Sequence, residues 1–365
     1  MSACIPLRAA LLAHGGYRST QVPAAVRLNT NESPFPPPPG WQEELAATIE
    51  KIDFHRYPDR DVTELREGIA ALHAVTREEV FCANGSNEVL QCLLLAFGGP
   101  GRTALVFEPT YALHSHIAEL TGTGVHRGAR DAAMRIDPAT AGELLGSLAP
   151  EIVFACSPNN PTGRSEDPLV VRHLTDRAPG LVVVDEAYGQ FSRFTALDLR
   201  DGSPGAEGLV VVRTFSKTWA MAGARLGYLV AAKEVVEGCR RAALPYHVSV
   251  QTQAAGLLAL GHATEMEDRV RAVAEARESL AAGLGSLDVE TWPSDANFCL
   301  FRPRRAPGHA VWEALVARGV LVRDFSALAG LEGSLRVTVG TPEENGRFLD
   351  VLAAVLDDLS EEACE

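Results

Sequence analysis

Residues 181–191 read LVVVDEAYGQF, an uninterrupted apolar run that ends in a cluster of polar side chains. Short, continuous runs of Val, Leu and Ile are typical of parallel strands that are buried on both faces. Runs of the same kind occupy residues 152–156 and 209–213, and residues 168–178 have a helical pattern. This alternation predicts an α/β fold with a mostly parallel central sheet covered by helices on both faces.

The chain is 365 residues long, which exceeds the size at which a single hydrophobic core usually stops growing. Residues 248–282 have the spacing of one long helix, and the sequence beyond them alternates shorter strand-like and helical stretches. We therefore expect a large domain and a smaller α+β domain. The predicted division is an N-terminal arm with part of the small domain at residues 1–45, a large domain at 46–284, and the small domain at 285–365.

The charge of the chain bears on its partners, and its cysteine content bears on its compartment. The chain has 33 Lys and Arg against 47 Asp and Glu, a net charge of −14, and no sustained basic run. Nucleic acid and anionic membrane surfaces are therefore not expected partners, whereas a small-molecule substrate is. The apolar runs are far too short to cross a bilayer. Seven scattered cysteines, an odd number, indicate a cytoplasmic protein rather than a disulfide framework.

A lysine follows the run at 209–213, in the stretch VVVRTFSKTWAMAGARLGY of residues 210–228. Partial desolvation at the end of a buried strand lowers the pKa of an amine, so Lys217 is a candidate nucleophile toward an aldehyde. Ser216 and Arg225 carry a hydroxyl and a guanidinium that match the oxygens of a phosphate. A surface lysine that merely follows a strand explains this segment equally well.

Polar residues also follow other predicted strands. Asp185 can pair with a protonated pyridine nitrogen, bind a metal or a ribose, or form a salt bridge. Asn160, in CSPNNPTG, can donate a hydrogen bond to a phenolate, although a plain turn is also compatible. Ser86, in ANGSNEVLQ, opens a predicted helix whose first N–H groups attract an anion, with capping as the alternative. Tyr111, in EPTYALH, can stack on a planar ring.

These candidates together supply a nucleophilic amine, a pyridinium partner, a phenolate donor, a stacking ring and a phosphate cradle. That set is what a pyridoxal phosphate site requires. A nicotinamide-dependent dehydrogenase would also suit a parallel sheet, but no G-x-G-x-x-G motif follows a strand. His114 and His116 are two residues apart, which directs them to different sides of a helix, so no metal site is expected.

Motifs spread over nearly the whole chain support a resemblance. They include LNTNESP at 28–34, RYPD at 56–59, SPNNPTG at 157–163, RTFSK at 213–217 and RVTVG at 336–340. In content and order the chain resembles fold-type I pyridoxal-phosphate enzymes of the class I/II aminotransferases, and within them the histidinol-phosphate aminotransferase family.

The resemblance implies a role for each motif residue. Lys217 would carry pyridoxal phosphate covalently, and Asp185 would pair with the ring nitrogen. Asn160 and Tyr188 would contact the ring hydroxyl, and Tyr111 would stack on the ring. The residues implied to hold the cofactor phosphate are Ser86, Asn87, Ser216 and Arg225.

The resemblance also implies a homodimer, in which Tyr57 reaches the cofactor phosphate of the second subunit. The residues implied to bind the substrate are Tyr17, Asn31, Arg323 and Arg336. The chain departs from the family pattern on the substrate side, at Gly16, Ser33 and the neighbourhood of Trp219.

The expected reaction moves an amino group between an amino acid or histidinol phosphate and 2-oxoglutarate, with the Lys217 amine as general base. An aminotransferase for aromatic amino acids or a specialised pathway, and a decarboxylase of the same fold, remain the alternatives.

Overall fold

A computed structural model describes residues 21–203 and 205–362, together with Leu7 and Leu11. The described strands are β1 (Val26–Leu28), β2 (Val80–Ala83), β3 (Thr103–Glu108), β4 (Gly124–Ala129), β5 (Ile152–Cys156), β6 (Leu181–Asp185), β7 (Leu209–Thr214), β8 (Gly227–Val230), β9 (Val289–Thr291), β10 (Phe298–Pro303), β11 (Val320–Asp324) and β12 (Leu335–Thr338).

Along the chain, the described α-helices lie between these strands, and the last helix follows β12. They are α1 (Trp41–Ile49), α2 (Thr63–Leu72), α3 (Ser86–Phe97), α4 (Leu113–Thr121), α5 (Pro138–Leu148), α6 (Pro168–Arg177), α7 (Lys233–Ala242), α8 (Val250–Leu260), α9 (Ala263–Gly285), α10 (Gly308–Ala317) and α11 (Pro342–Glu362).

The larger sheet has seven strands in the spatial order β2-β8-β7-β6-β5-β3-β4. Strands β4, β3, β5, β6 and β7 pair in parallel, and β8 is antiparallel to both of its neighbours. This arrangement confirms the predicted α/β fold with a mostly parallel central sheet.

Both faces of the larger sheet are covered, as its continuous apolar runs predicted. Successive residues of a strand point to opposite faces, so Val183 and Val184 enter different cores. Val183 packs with residues of α3, α4 and α7, whereas Val184 packs with residues of α5 and α6. Burial on both sides explains why the strand contains no polar residue before Asp185.

The smaller sheet has five strands in the order β1-β11-β12-β10-β9. Strand β1 pairs in parallel with β11, with Val26 opposite Val320, and the other pairings are antiparallel. Residues of α9, α10 and α11 complete its core. A segment near the N-terminus therefore packs with the C-terminal strands, while the domain boundaries at 45/46 and 284/285 remain predictions.

The single long helix predicted at 248–282 is wrong. The structure has two helices there, because α8 ends at Leu260 and α9 begins at Ala263. Gly261 is a poor helix former, at a cost of about 1 kcal/mol relative to Ala. The backbone of His262 leaves the helical region, at φ −108° and ψ 32°, and its ring lies between the carboxylates of Glu44 and Glu265 at 3.6 and 3.5 Å.

The carboxyl ends of β5, β6 and β7 lie at one edge of the larger sheet. Cys156 is opposite Asp185, which in turn is opposite Val212. In open α/β sheets ligands bind outside this edge, so the fold brings the polar residues after these strands together. Among the helices that the structure describes, none is long and apolar enough to cross a membrane.

Candidate active site

A cavity of about 690 Å³ lies at this edge and is lined by residues of both sheets. Twelve of the predicted site residues line it, although they are spread over three hundred positions of sequence. They are Asn31, Ser86, Asn87, Tyr111, Asn160, Asp185, Tyr188, Ser216, Lys217, Arg225, Arg323 and Arg336.

Two predicted residues are not in this set. Tyr57 is 81 % exposed, does not line the cavity of its own chain, and stacks on Tyr246 with ring centroids 4.5 Å apart. Its predicted contact with a second subunit therefore remains a prediction. Tyr17 lies outside the described residues.

Lys217 lies in the loop that follows β7, with its side chain in the cavity. Its Nζ donates a hydrogen bond of 2.9 Å to the carbonyl oxygen of Thr30. Burial lowers the pKa of Lys217 to about 7, and the positive charges of Arg336 and Arg225 act in the same direction, against the opposing effect of Glu32. A large fraction of the amine is therefore neutral, and thus nucleophilic, near neutral pH.

Asp185, at the end of β6, is only 2 % exposed. Two hydrogen bonds offset the solvation that its buried carboxylate loses. Its Oδ1 accepts from the backbone N–H of Ala187 at 3.0 Å, and its Oδ2 lies 2.9 Å from Nε2 of His114. His114 is also buried and stacks on Phe154 at 4.8 Å. Because a buried carboxylate is costly without partners, the imidazole N–H holds Asp185 in place.

The residues predicted to hold the cofactor phosphate are grouped at the start of α3. Ser86 is its first residue, and the first N–H groups of a helix have no partner within the helix. Gly85 has φ +83°, and a Cβ there would lie 2.5 Å from Nη2 of Arg225. Arg225 in turn donates to Oγ of Ser216 at 3.4 Å. Helix N–H groups, a hydroxyl and a guanidinium thus converge as an anion cradle.

The residues predicted to contact the cofactor ring also line the cavity. Tyr188 OH accepts a hydrogen bond of 2.9 Å from Nδ2 of Asn31, and burial raises the pKa of Tyr188 to about 12. Tyr111 OH donates to Oδ1 of Asn87 at 3.1 Å. The Asn160 Oδ1 accepts from Nη1 of Arg336, so its Nδ2 is the amide group suited to donate to a phenolate.

The two arginines predicted to bind the substrate, Arg323 and Arg336, lie side by side in the same cavity. Arg323 on β11 lies directly opposite Arg336 on β12 in the register of the two strands. Nη2 of Arg336 donates a hydrogen bond of 2.9 Å to the carbonyl oxygen of Asn29. The side chain of Phe325 lies close to both, with the Arg323 and Arg336 Cζ atoms 5.7 and 5.3 Å from its ring centroid.

These residues fit pyridoxal phosphate. Gly85 keeps the cradle open where a larger side chain would fill it, and the buried Asp185 carboxylate provides the charge that a protonated pyridine nitrogen needs. Lys217 supplies a partly neutral amine in the same cavity.

Sequence reasoning missed three contributors. Among the sequence predictions His114 has no role beyond the absence of a metal site, although it follows Tyr111 by three residues and its ring contacts the Tyr111 ring at a centroid distance of 5.5 Å. The contribution of Thr30 is a backbone carbonyl, which no side-chain motif reveals. Phe325 follows the predicted Arg323 by two residues, and residues two apart point to the same side of an extended chain.

An enclosed lysine, a buried carboxylate and an anion cradle around one cavity define an enzyme that uses pyridoxal phosphate to act on amines. The chain belongs to the aminotransferase class I and II family, whose sequence pattern matches residues 23–352. This membership confirms the predicted fold type, cofactor and class of enzyme.

Individual relatives agree with this assignment. The chain is 43 % identical to histidinol-phosphate aminotransferase of Corynebacterium glutamicum, over 96 % of this chain and 97 % of the relative. The fold is similar to that of the Sinorhizobium meliloti histidinol-phosphate aminotransferase in complex with pyridoxal-5'-phosphate, with a TM-score of 0.85 at 19 % identity. The match covers 98 % of this chain and 99 % of that chain. L-threonine-O-3-phosphate decarboxylase of Porphyromonas gingivalis shares the fold too, with a TM-score of 0.78 at 23 % identity, covering 91 % and 99 %. The fold alone therefore does not determine the reaction.

Proposed function

We propose that this enzyme transfers the amino group of histidinol phosphate to 2-oxoglutarate, as a step of histidine biosynthesis. The observation that carries the proposal is the presence of Lys217, with its lowered pKa, in one cavity with the Arg323 and Arg336 pair. An amine substrate with a phosphate can reach the lysine with one end and the arginines with the other. The name of the Corynebacterium relative supports histidinol phosphate as that substrate.

Each residue of the cavity has a task in this proposal. When bound, pyridoxal phosphate supplies an electron-withdrawing ring that stabilises negative charge on the substrate Cα. Asp185, held by His114, would pair with the ring nitrogen and favour its protonated form. Lys217 would hold the cofactor, and its neutral amine would serve as the general base that takes the proton from the substrate Cα.

The other residues bind and orient. The backbone of α3 with Ser86, Asn87, Ser216 and Arg225 would hold the cofactor phosphate. Asn160 and Tyr188 would donate to the ring hydroxyl, and Tyr111 would stack on the ring. Asn31 orients Tyr188 through their hydrogen bond and borders the substrate. The substrate anion is bound by Arg323 and Arg336, with Tyr17 of the N-terminal arm as a further contact.

We also propose that the enzyme is a homodimer in the cytoplasm. The 81 % exposed ring of Tyr57 and the 77 % exposed side chain of Leu244 form part of a surface suited to a second copy. All cysteines within the described residues are unpaired, which fits a reducing compartment.

The test is a set of half-reactions followed by the visible absorbance of the bound cofactor. We expect histidinol phosphate to remove the visible band and 2-oxoglutarate to restore it, whereas phenylalanine has little effect. If phenylalanine removes the band and histidinol phosphate does not, the substrate proposal is wrong. Release of carbon dioxide from threonine O-phosphate would instead identify a decarboxylase.

Replacing Lys217 by Ala tests the site itself. We expect turnover to be lost, because the amine that binds the cofactor and moves the proton is absent. Lys217→Arg is the matched variant that keeps the positive charge and should be equally inactive. A Lys217→Ala enzyme with full activity and the wild-type visible band would contradict the proposed site.

A further inference from the structure

The substrate end of the cavity brings two positive charges together. Arg323 and Arg336 are opposite each other in the antiparallel register of β11 and β12, so their side chains project from the same face. Like charges in this relation repel each other. The repulsion is poorly screened, because Arg336 is only 5 % exposed.

One aromatic ring lies against both cations. Phe325 is two residues beyond Arg323, so it lies on the same face of the extended chain. Its ring centroid is 5.7 Å from Cζ of Arg323 and 5.3 Å from Cζ of Arg336. Both distances are within the range, about 6 Å, in which the face of an aromatic ring attracts a cation. The ring therefore attracts two groups that repel each other.

Hydrogen bonds fix both the N–H and the carbonyl group of Phe325. Its N–H donates to the carbonyl of Ser334 at 3.1 Å, and its carbonyl accepts from the N–H of Leu328 at 2.8 Å. The preceding carboxylate of Asp324 accepts from Ser326 N–H and pairs with Nδ1 of His309, both at 2.7 Å. These contacts limit how far the ring can move when a ligand enters.

Contact with a ring involves the face of a guanidinium, so that its N–H edge is directed at oxygen atoms. In Arg336 this edge already donates to Asn160 and Asn29, and a guanidinium has five N–H donors, so a ligand can add to these bonds. Two such edges held side by side suit a ligand that places two negative charges at one end of the cavity. A phosphate monoester carries two negative charges on one group, and a short dicarboxylate such as glutarate carries one on each of two carboxylates, so that each arginine can meet one.

We infer that Phe325 positions Arg323 and Arg336 as a pair and thereby makes the substrate end of the cavity selective for dianions over monoanions. The inference rests on the proposed function, in which histidinol phosphate and glutamate share this end of the cavity. Phe325 is a positioning residue, because it acts through the two arginines.

The experiment measures the binding of unreactive anions to the cofactor-loaded enzyme by calorimetry. Glutarate is the dianion and butyrate the monoanion. For Phe325→Leu, which keeps apolar bulk without a ring, we expect glutarate to bind about tenfold more weakly, from the loss of two cation–π contacts. Butyrate affinity should change less than about twofold, since a single arginine suffices for it. Phe325→Tyr, which keeps the ring, should behave like the wild type toward both.

Phe325→Met is a second variant without a ring and has the same expected result, so a folding defect in one variant does not decide the outcome. Unchanged glutarate affinity in both variants, or an equal loss for glutarate and butyrate, would overturn the inference. The assay needs no amino donor. An enzyme that ignores histidinol phosphate but shows the glutarate effect would refute the proposed substrate and support the role of Phe325.

Discussion

Arg323 and Arg336 face each other across two antiparallel strands, in a cavity that also contains Lys217. Neighbouring like charges destabilise a strand pair, and an anion bound between them would offset that repulsion. One of these charges also acts on the lysine, since Arg336 contributes, after burial, to the lowered pKa of Lys217. If Arg336 binds the substrate as proposed, substrate binding and the protonation of Lys217 are coupled through this one residue.

Phosphate should stabilise the cofactor-loaded enzyme through this pair. Inorganic phosphate at one hundred times its dissociation constant should raise the free energy of unfolding by about 2.7 kcal/mol. Arg323→Gln should lose most of this effect, because one of the two cations is gone. Arg305→Gln removes an exposed arginine elsewhere in the small domain and is the control. Thermal unfolding with and without phosphate makes the measurement, and an equal shift in all three proteins would contradict the assignment.

Attachment of the cofactor should depend on pH through Lys217. Only the neutral amine attacks an aldehyde, so the rate at which apoenzyme recovers its visible band should rise with pH around a midpoint near 7. Arg336→Gln should move the midpoint upward, because it removes a positive charge that opposes protonation. Glu32→Gln should move it downward. Identical midpoints in the three proteins would show that these charges do not act on Lys217.

The same pKa has a consequence for stability. The pKa of Lys217 in the folded protein lies below its ordinary value of 10.5, so the unfolded chain binds this proton more readily between pH 7 and 10.5. The contribution of Lys217 to the free energy of unfolding therefore rises with pH across that window. Below pH 7 the lysine is charged in both states, and the full cost of burying the charge is present.

His114 should support the cofactor through Asp185. His114→Phe keeps the stacking on Phe154 but removes the N–H that faces Asp185. We expect the free energy of unfolding to fall by about 1–3 kcal/mol, because a buried carboxylate loses a partner. The cofactor should also dissociate more readily, which equilibrium dialysis can measure. His126→Phe, at a half-buried position of edge strand β4, is the control, and equal effects of the two substitutions would argue against the role of His114.

Gly227 should be required for the anion cradle. A Cβ at this position would lie 2.2 Å from the backbone N of Ser86 and 2.4 Å from the carbonyl carbon of Gly85. Gly227→Ala should therefore displace the start of α3, destabilise the protein by about 1–3 kcal/mol and weaken cofactor binding. At Gly223 a Cβ would meet no atom within 4 Å, so Gly223→Ala should change stability by less than about 0.5 kcal/mol. If the two variants retain cofactor equally well, the close approach at Gly227 has no functional importance.

Local sequence predicted most of the larger sheet because its central strands are buried on both faces. The runs ending at Cys156, Asp185 and Arg213 could be assigned from apolar continuity alone. The patterns did not identify β8, which is four residues long and follows a loop of small residues. They also missed the interruption of the predicted helix at Gly261, because a single glycine is tolerated within many helices.

The amino-acid sequence by itself determined the chemical groups of the site and their order along the chain. Lys217, Asp185, Asn160, Ser86 and Arg225 could be identified because each follows a strand or begins a helix, where local backbone geometry exposes polar groups. The family resemblance of these motifs also identified the cofactor.

Only the tertiary structure decided which of these groups meet and how they affect one another. The contact between His114 and Asp185, the hydrogen bond from Lys217 to Thr30 and the pairing of Arg323 with Arg336 join residues that are far apart or lie on separate strands. Desolvation and charge interactions depend on distances through space, and local patterns do not contain those distances. The lowered pKa of the lysine is therefore a property of the folded cavity.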